Sequence, residues 1–276
     1  MRNTWAVCKR EFSSFFVTPV GYVVVATFAA ISGAAFSGVF TGFCKITQSP
    51  NSYGYEGIPN FEELMLSPYL VFCGQLILFI GPLITMRLLA EERNRGTLEL
   101  LLTHPLRDRE IIFGKYLASL GIVLVLMMVV GVHMVLMARH TEVEPVVLVF
   151  GLLTVFLMSA AFMSLGLFVS SVTGNQITAG TLTFGLWFVS YILGTYGSDL
   201  PPDVSVPANW GQSIQLAANF FYHIFRQLVV QLPLDAHAQE MAQGALRPKD
   251  IAYYVLFSSF FLFLTFRSLE ARRWRA

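Results

Sequence analysis

The sequence has 276 residues, of which 55% are hydrophobic and 13% are charged, and its formal net charge is +1. Soluble proteins carry about 25% charged residues, so this composition excludes an ordinary soluble domain and predicts an integral membrane protein. The three cysteines, Cys8, Cys44 and Cys73, are not obvious disulfide partners, and we expect neither a disulfide framework nor a metal site.

The chain opens with MRNTWAVCKREFSSFF, in which apolar side chains recur at helical spacing opposite a polar side. This pattern predicts an interfacial helix over residues 1–16 on the cytoplasmic surface, before Pro19 and Gly21 turn the chain into the bilayer. The apolar run that follows is too long for the core of a signal peptide, which spans about 7–15 residues. We therefore expect this run to be retained as a membrane span.

Residues 17–276 are predicted to form one membrane domain, because a helix needs about 20 apolar residues to cross the hydrocarbon core. Six spans are expected, near residues 17–40, 68–86, 117–138, 145–170, 176–196 and 251–269. The sixth run is short and reaches spanning length only if Arg267 extends its charge to the interface. The predicted fold class is an all-α integral membrane protein with six transmembrane helices.

The basic residues set the predicted orientation of these spans. Most of the 18 Lys and Arg residues fall on the side that holds both termini. The positive-inside rule therefore predicts that both termini and the loop between the second and third spans are cytoplasmic.

That loop, LLAEERNRGTLELLLTHPLRDREIIFGKY, predicts a helix leaving the second span through Glu92, a turn, a short helix, a second turn and a third helix. Gly96 is a plausible stop, Thr97 is a good N-cap with Glu99 in the first turn, and Asp108 can cap the helix that follows. Orientation explains the basic residues of the loop but not the acidic ones, which contribute little to orientation. The acids favour contact with a soluble partner over simple solvation.

Between the fifth and sixth spans lies a long outer segment, residues 197–249, that contains GQSIQLAANFFYHIFRQLVVQ. Polar side chains recur in this stretch at steps of three, four and five residues, which predicts an amphipathic helix. Two placements remain open for it. The helix either rests on the outer leaflet or enters the membrane as a re-entrant, gate-capping element.

The fifth span has an unusually polar face. Its hydroxyl side chains are Thr178, Thr181, Thr183 and Ser190. Such a face is typical of a helix that lines a transport pathway. Hydroxyls that bond back to carbonyls of their own helix are an equally good explanation.

No predicted span contains an Asp or Glu, whereas ion-coupled carriers and proton pumps usually need ionisable groups at that depth. His133 is the one imidazole at membrane depth, and we expect it to form a hydrogen bond between helices rather than to carry protons. The sequence has no zinc-protease or serine-hydrolase signature, and GKY lacks the spacing of a phosphate loop. We expect no catalytic residues, no bound cofactor and no ATP site in this chain.

The stretch TMRLLAEERNRGTLELLLTHPLRDREIIFGKYLA, Thr85 to Ala118, closely resembles the signature of type-two ABC exporter permeases. The resemblance is to the branch that contains the gliding-motility (Gld-type) permease and the permeases of nitrous-oxide-reductase maturation. TPVGYVV, SSVTGNQITAG and LTFRSLEARRW agree with the same branch, so the resemblance spans the chain. The outer segment 197–249 departs from it before RPKDIAYYV.

This resemblance implies that the chain is the transmembrane permease subunit of an ATP-binding-cassette exporter. Such a subunit is not itself an enzyme. A separate cytoplasmic ATPase would bind ATP and Mg and hydrolyse the nucleotide to drive substrate movement. The N-terminal helix would be the family's elbow helix, and the loop between spans two and three would hold its coupling helix.

The resemblance also implies partners and a location. The permease would form a homodimer, or a heterodimer with a second permease, in the lipid of the bacterial cell (inner) membrane. An auxiliary outer-face subunit is left open, and no nucleic acid is expected.

The residues expected to contact the ATPase lie in two cytoplasmic loops. They are Arg87, Glu91, Glu92, Arg93, Thr97 and Glu99 in the first loop and Asn175 in the second. An alternative function would use the same surface, namely a non-transporting membrane scaffold or assembly factor that anchors a soluble ATPase complex.

Overall fold

The computed structural model describes residues 2–54, 60–94, 96, 107–139, 144–197, 199–202, 211–244 and 247–273. Within these residues the regular structure is helical and contains no strand. The helices are α1 (Arg2–Val17), α2 (Pro19–Gln48), α3 (Ser67–Thr85), α4 (Ala90–Asn94), α5 (Asp108–Ala138), α6 (Pro145–Val172), α7 (Gln176–Gly197), α8 (Gln212–Gln231), α9 (Ala238–Ala242) and α10 (Pro248–Arg273). Short 3-10 turns cover Pro50–Tyr53 and Leu234–His237, and a π-helical turn covers Glu62–Leu66.

Six helical segments of the described chain are long and apolar enough to cross a membrane. They are α2, the segment Glu62–Asn94 that contains α3, then α5, α6, α7 and α10. These segments confirm the predicted all-α membrane fold with six spans. The sixth is longer than its apolar run suggested, since α10 extends from Pro248 to Arg273.

Proline stands in the first turn of several of these helices, where the missing N–H is not needed and the fixed φ suits the helix. Pro19 begins α2, Pro145 begins α6 and Pro248 begins α10. The first span, α2, continues to Gln48, beyond the expected end near residue 40, because no helix-breaking residue occurs between its first turn and Pro50. Proline positions therefore define where these helices start and where the first span must stop.

Helix α6 lies at the centre of the bundle and packs against α3, α5, α7 and α10. Glycine allows a close approach to α3, since a Cβ at Gly166 would lie 2.7 Å from Thr85 Cβ. On the other side of α6, the Tyr116 hydroxyl of α5 donates a hydrogen bond to the Ala160 carbonyl at 3.1 Å. By contrast, α2, α7 and α10 expose most of their apolar surface.

His133 joins three helices in the half of the bundle away from α1. Its Nδ1 lies 2.6 Å from the Tyr69 hydroxyl of α3, and its ring stacks on Phe36 of α2 with 5.0 Å between ring centroids. This geometry confirms the prediction that His133 forms a hydrogen bond between helices.

The amphipathic stretch after the fifth span is helical, as α8, and its apolar side faces outward. Phe220, Phe221 and Phe225 are each more than half exposed. Tyr222 and Arg226 donate hydrogen bonds to the carbonyls of Pro201 and Leu200, at 2.7 and 3.2 Å. The polar side of α8 thus anchors it to the segment that follows α7.

Candidate functional site

The chain breaks its helix where the second span leaves the bundle. A turn over residues 86–89 separates α3 from α4 within the span Glu62–Asn94, so the predicted helix through Glu92 is interrupted at these residues and resumes at Ala90. The Ser170 hydroxyl of α6 accepts hydrogen bonds from the backbone N–H groups of Leu89 at 3.1 Å and Ala90 at 3.0 Å. These two donors therefore bond a side chain of another helix in place of carbonyls of their own helix.

A second bond joins α4 to the end of α6. The Arg93 guanidinium donates a hydrogen bond to the Val172 carbonyl at 3.1 Å, close to the turn at Gly174. In that turn, the Asn175 side chain accepts the N–H of Ile177 at 2.9 Å and so caps the start of α7. The structure thus brings together the two loops in which the sequence placed its partner contacts.

Four charged residues form a cluster between α1, α4 and α5, which we call the Lys115 cluster. Its members are Arg10, Glu11, Glu92 and Lys115. The Lys115 ammonium lies 3.1 Å from Glu11 Oε1 and 3.0 Å from Glu92 Oε1, and its side chain is 1% exposed. Arg10 reaches the same two carboxylates from the exposed side, at 2.8 and 3.1 Å. Two cations and two anions therefore balance one another at this junction.

The neighbouring positive charges keep Glu11 ionised. Burial of Glu11 raises the pKa of its carboxyl, but the neighbouring Lys115 and Arg10 charges lower it by more. The net result is that the Glu11 pKa lies below its ordinary value, so the carboxylate stays charged at neutral pH.

Sequence reasoning missed Lys115, because it treated this residue only as an orientation charge. The signal was present in the spacing, since the residues three and four positions away on α5 are all buried: Ile111, Ile112, Ala118 and Ser119. A lysine on the buried face of a helix needs a carboxylate partner. That requirement could have linked Lys115 to the unexplained acids of the loop.

Helix α1 packs closely along the first turns of α5. A Cβ at Gly114 would lie 2.8 Å from Val7 Cβ, and one at Gly121 would lie 3.1 Å from the Phe12 ring. The N-cap of α5 is Arg107, whose N–H bonds the Glu110 side chain at 3.1 Å, so the expected cap at Asp108 is wrong by one residue. The Asp108 side chain cannot reach back because the residue already lies inside the helix.

Comparison with known proteins places the sequence of this chain in a family. A family model described as ABC-2 family transporter protein matches residues 5–268. The chain belongs to the ABC-2 transporter family. It is a multi-pass transmembrane ABC transporter permease, which confirms the resemblance found in the sequence.

Two curated relatives carry the name probable ABC transporter permease protein NosY. The permease is 32% identical to the protein of Pseudomonas aeruginosa over 129 residues, which cover 43% of this chain and 46% of the relative. It is 26% identical to the protein of Stutzerimonas stutzeri over 206 residues, which cover 68% and 67%. The first match thus spans about half of that relative's length.

The remaining predicted contact residues of the permease are Arg87, Glu91, Thr97 and Glu99, of which the structure describes the first two. Arg87 lies half-buried in the turn after α3, and its Nε has no hydrogen-bond partner among the described residues. Glu91 is half-buried on α4 beside Glu92. Thr97 and Glu99 lie outside the described residues, together with the short helix predicted around them, so their roles stay predictions. Gly96 has a φ of +67°, which confirms the predicted helix stop.

The predicted pathway residues of the permease do not share one environment. Thr178 and Thr181 are exposed, Thr183 is buried within the protomer, and Ser190 is half-buried. The hydroxyls of Thr181 and Thr183 donate hydrogen bonds to carbonyls one turn earlier in α7, at 2.9 and 2.8 Å. The back-bonding explanation therefore holds for these two, and a pathway role for the set stays a prediction.

Proposed function

We propose that this permease couples ATP hydrolysis by a separate cytoplasmic ATPase to export of a substrate across the bacterial cell membrane. The observation that supports the proposal is the junction of the two loops. Ser170 and Arg93 tie α4 to the end of α6, so a partner that moves α4 moves two spans together. Family membership supports the presence of an ATPase partner.

In this proposal the ATP and Mg are bound by the partner, and the permease contributes a rigid surface. The hydrogen bonds of the turn at residues 86–89 matter, because a flexible loop would deform under a displacement that a hydrogen-bonded turn transmits to the spans. Displacement of the surface would rock the spans toward an outward-facing state. Both termini would be cytoplasmic, on the same side as the surface.

The permease would act as a homodimer or as a heterodimer with a second permease. The apolar faces of α2, α7 and α10 are left largely exposed by the rest of the protomer. In the membrane, lipid would cover part of this apolar surface and a second permease would cover the rest. Thr178 and Thr181, which are exposed on α7, would then line a pathway between protomers. An auxiliary subunit would bind the described part of the outer segment, at the end of the bundle opposite the ATPase.

Charge reversal on α4 tests the docking role. We expect Glu91→Lys to leave membrane insertion intact and to abolish co-purification of the ATPase, because it reverses a charge on the helix that carries the proposed contact. Glu92 is a poorer probe, since its carboxylate is bound to Lys115 within the permease.

The matched control is Glu270→Lys at the end of α10, where an exposed carboxylate pairs only with Arg267 three residues earlier, at 2.7 Å, among its described ion pairs. This variant should retain the ATPase. A Glu91→Lys permease that still co-purifies with its ATPase and supports full ATP turnover would contradict the docking role.

A further inference from the structure

Helix α4 is bonded on two sides, to different parts of the bundle. On one side the Ser170 and Arg93 bonds join it to the end of α6. On the other side Glu92 joins it to Lys115 of α5 and to Arg10 of α1. Displacement of α4 therefore has two routes into the membrane helices.

The second route runs through a buried charge. Lys115 is removed from water, and its ammonium depends on two carboxylates that come from different elements, Glu11 of α1 and Glu92 of α4. Separating opposite charges costs much more where the dielectric constant is low than it does in water. The buried Lys115–Glu92 pair, at 3.0 Å, therefore resists separation, whereas two apolar surfaces can slide past each other.

We propose that Lys115 is a positioning residue that transmits displacement of α4 to α1 and α5, while Ser170 transmits it separately to α6. The inference rests on the proposed function and adds that two separate connections, through Lys115 and through Ser170, move different helices. Helix α1 would move with α4 and α5 because its Glu11 is bound to the Lys115 ammonium and because α1 packs tightly on α5 at Gly114.

The test requires variants that remove the connection without leaving unpaired buried charge. Lys115→Met alone leaves two carboxylates beside an apolar side chain, and breaking a buried pair in this way is strongly destabilising. The variant of choice therefore combines Glu11→Gln, Glu92→Gln and Lys115→Met, which keeps the volumes and removes all three charges. Arg10→Gln is the matched control, since it removes the direct Arg10–Glu92 bond between α1 and α4, which involves an exposed cation and is weakened by solvent.

The measurement is hydrogen–deuterium exchange on the intact complex, purified with its ATPase through a tag on this chain. Exchange is compared without nucleotide and with Mg-ATP plus vanadate. In the wild type we expect nucleotide to change exchange in peptides from residues 86–94, from α1 and from the end of α6.

In the triple variant, the change at 86–94 and at the end of α6 should persist, and the change in α1 should fall at least fivefold. The Arg10→Gln variant should behave like the wild type. Ser170→Ala should show the reverse pattern, with the response kept in α1 and reduced at the end of α6, where the Arg93 bond to Val172 remains.

A purely structural role for Lys115 predicts lower thermal stability with an equal response of all three regions. An unchanged α1 response in the folded triple variant would overturn the inference and leave the proposed function standing. A wild-type complex that shows no nucleotide response at 86–94 would overturn the proposed function, and the inference with it.

Discussion

Ser170→Ala should loosen the surface on which the proposed coupling depends. The Ser170 hydroxyl is the side-chain acceptor for two backbone N–H groups, those of Leu89 and Ala90, and both residues are buried, at 2% and 0% exposure. Water cannot replace the lost acceptor there. A buried donor without a partner costs about 1–3 kcal/mol, so two such donors cost about 2–4 kcal/mol after partial relaxation.

Ser159→Ala is the matched control. It makes the same chemical change in the same helix, but the hydrogen bond that the structure describes for the Ser159 hydroxyl is a donation, at 2.7 Å, to a carbonyl of its own helix. Its loss should cost about 1 kcal/mol or less, since the carbonyl keeps its helical bond.

Local opening reports the difference directly. Hydrogen exchange of the Leu89 and Ala90 amides should accelerate by about 30-fold or more in Ser170→Ala, since each 1.4 kcal/mol is worth tenfold. The apparent thermal midpoint in detergent should also fall further than in Ser159→Ala. Equal exchange at these amides in the two variants would refute the view that Ser170 holds the turn.

Two further predictions concern charge and packing. Because the Glu11 pKa lies below its ordinary value of 4.5, this carboxylate stabilises the fold fully above about pH 4.5, and its contribution is lost as pH falls through the folded-state pKa. The thermal midpoint should therefore drop on acidification, and less so in Glu11→Gln; parallel pH profiles would contradict this. Gly166→Ala should cost about 1–3 kcal/mol because its Cβ would lie 2.7 Å from Thr85 Cβ. Gly131→Ala is the control, because a Cβ there would come within 4 Å of no described atom beyond its own stretch of helix backbone, and equal midpoints would refute the packing argument.

Features set by local spacing could be predicted from the sequence. The six spans follow from the length of apolar runs, the amphipathic α8 follows from its polar stripe, and the helix stop at Gly96 follows from residue type. His133 was assigned correctly because no carboxylate lies near it in the sequence, which left a hydrogen bond between helices as the better use of the ring.

Features that depend on distant partners could not be predicted. The break after α3 depends on Ser170, which lies 81 residues beyond Leu89 in the chain. The Lys115 cluster depends on Glu11, which lies 104 residues before the lysine. Helix propensity favours continuity at residues 86–89, and a tertiary hydrogen bond overrides it. The inward placement of Glu92 likewise could not be distinguished from partner contact by charge alone.

A transporter and a scaffold that anchors a soluble complex differ most directly in one respect. ATP moves the membrane spans of a transporter and leaves those of a scaffold in place. The decisive measurement is the reaction of Thr181→Cys, at an exposed position of α7, with a membrane-impermeant maleimide in the intact complex. Thr183→Cys, which is buried in the protomer, is the control. Export coupled to ATP predicts a severalfold change in the Thr181→Cys labelling rate when Mg-ATP and vanadate are added. An unchanged rate in a complex that still hydrolyses ATP would contradict the account and favour a scaffold.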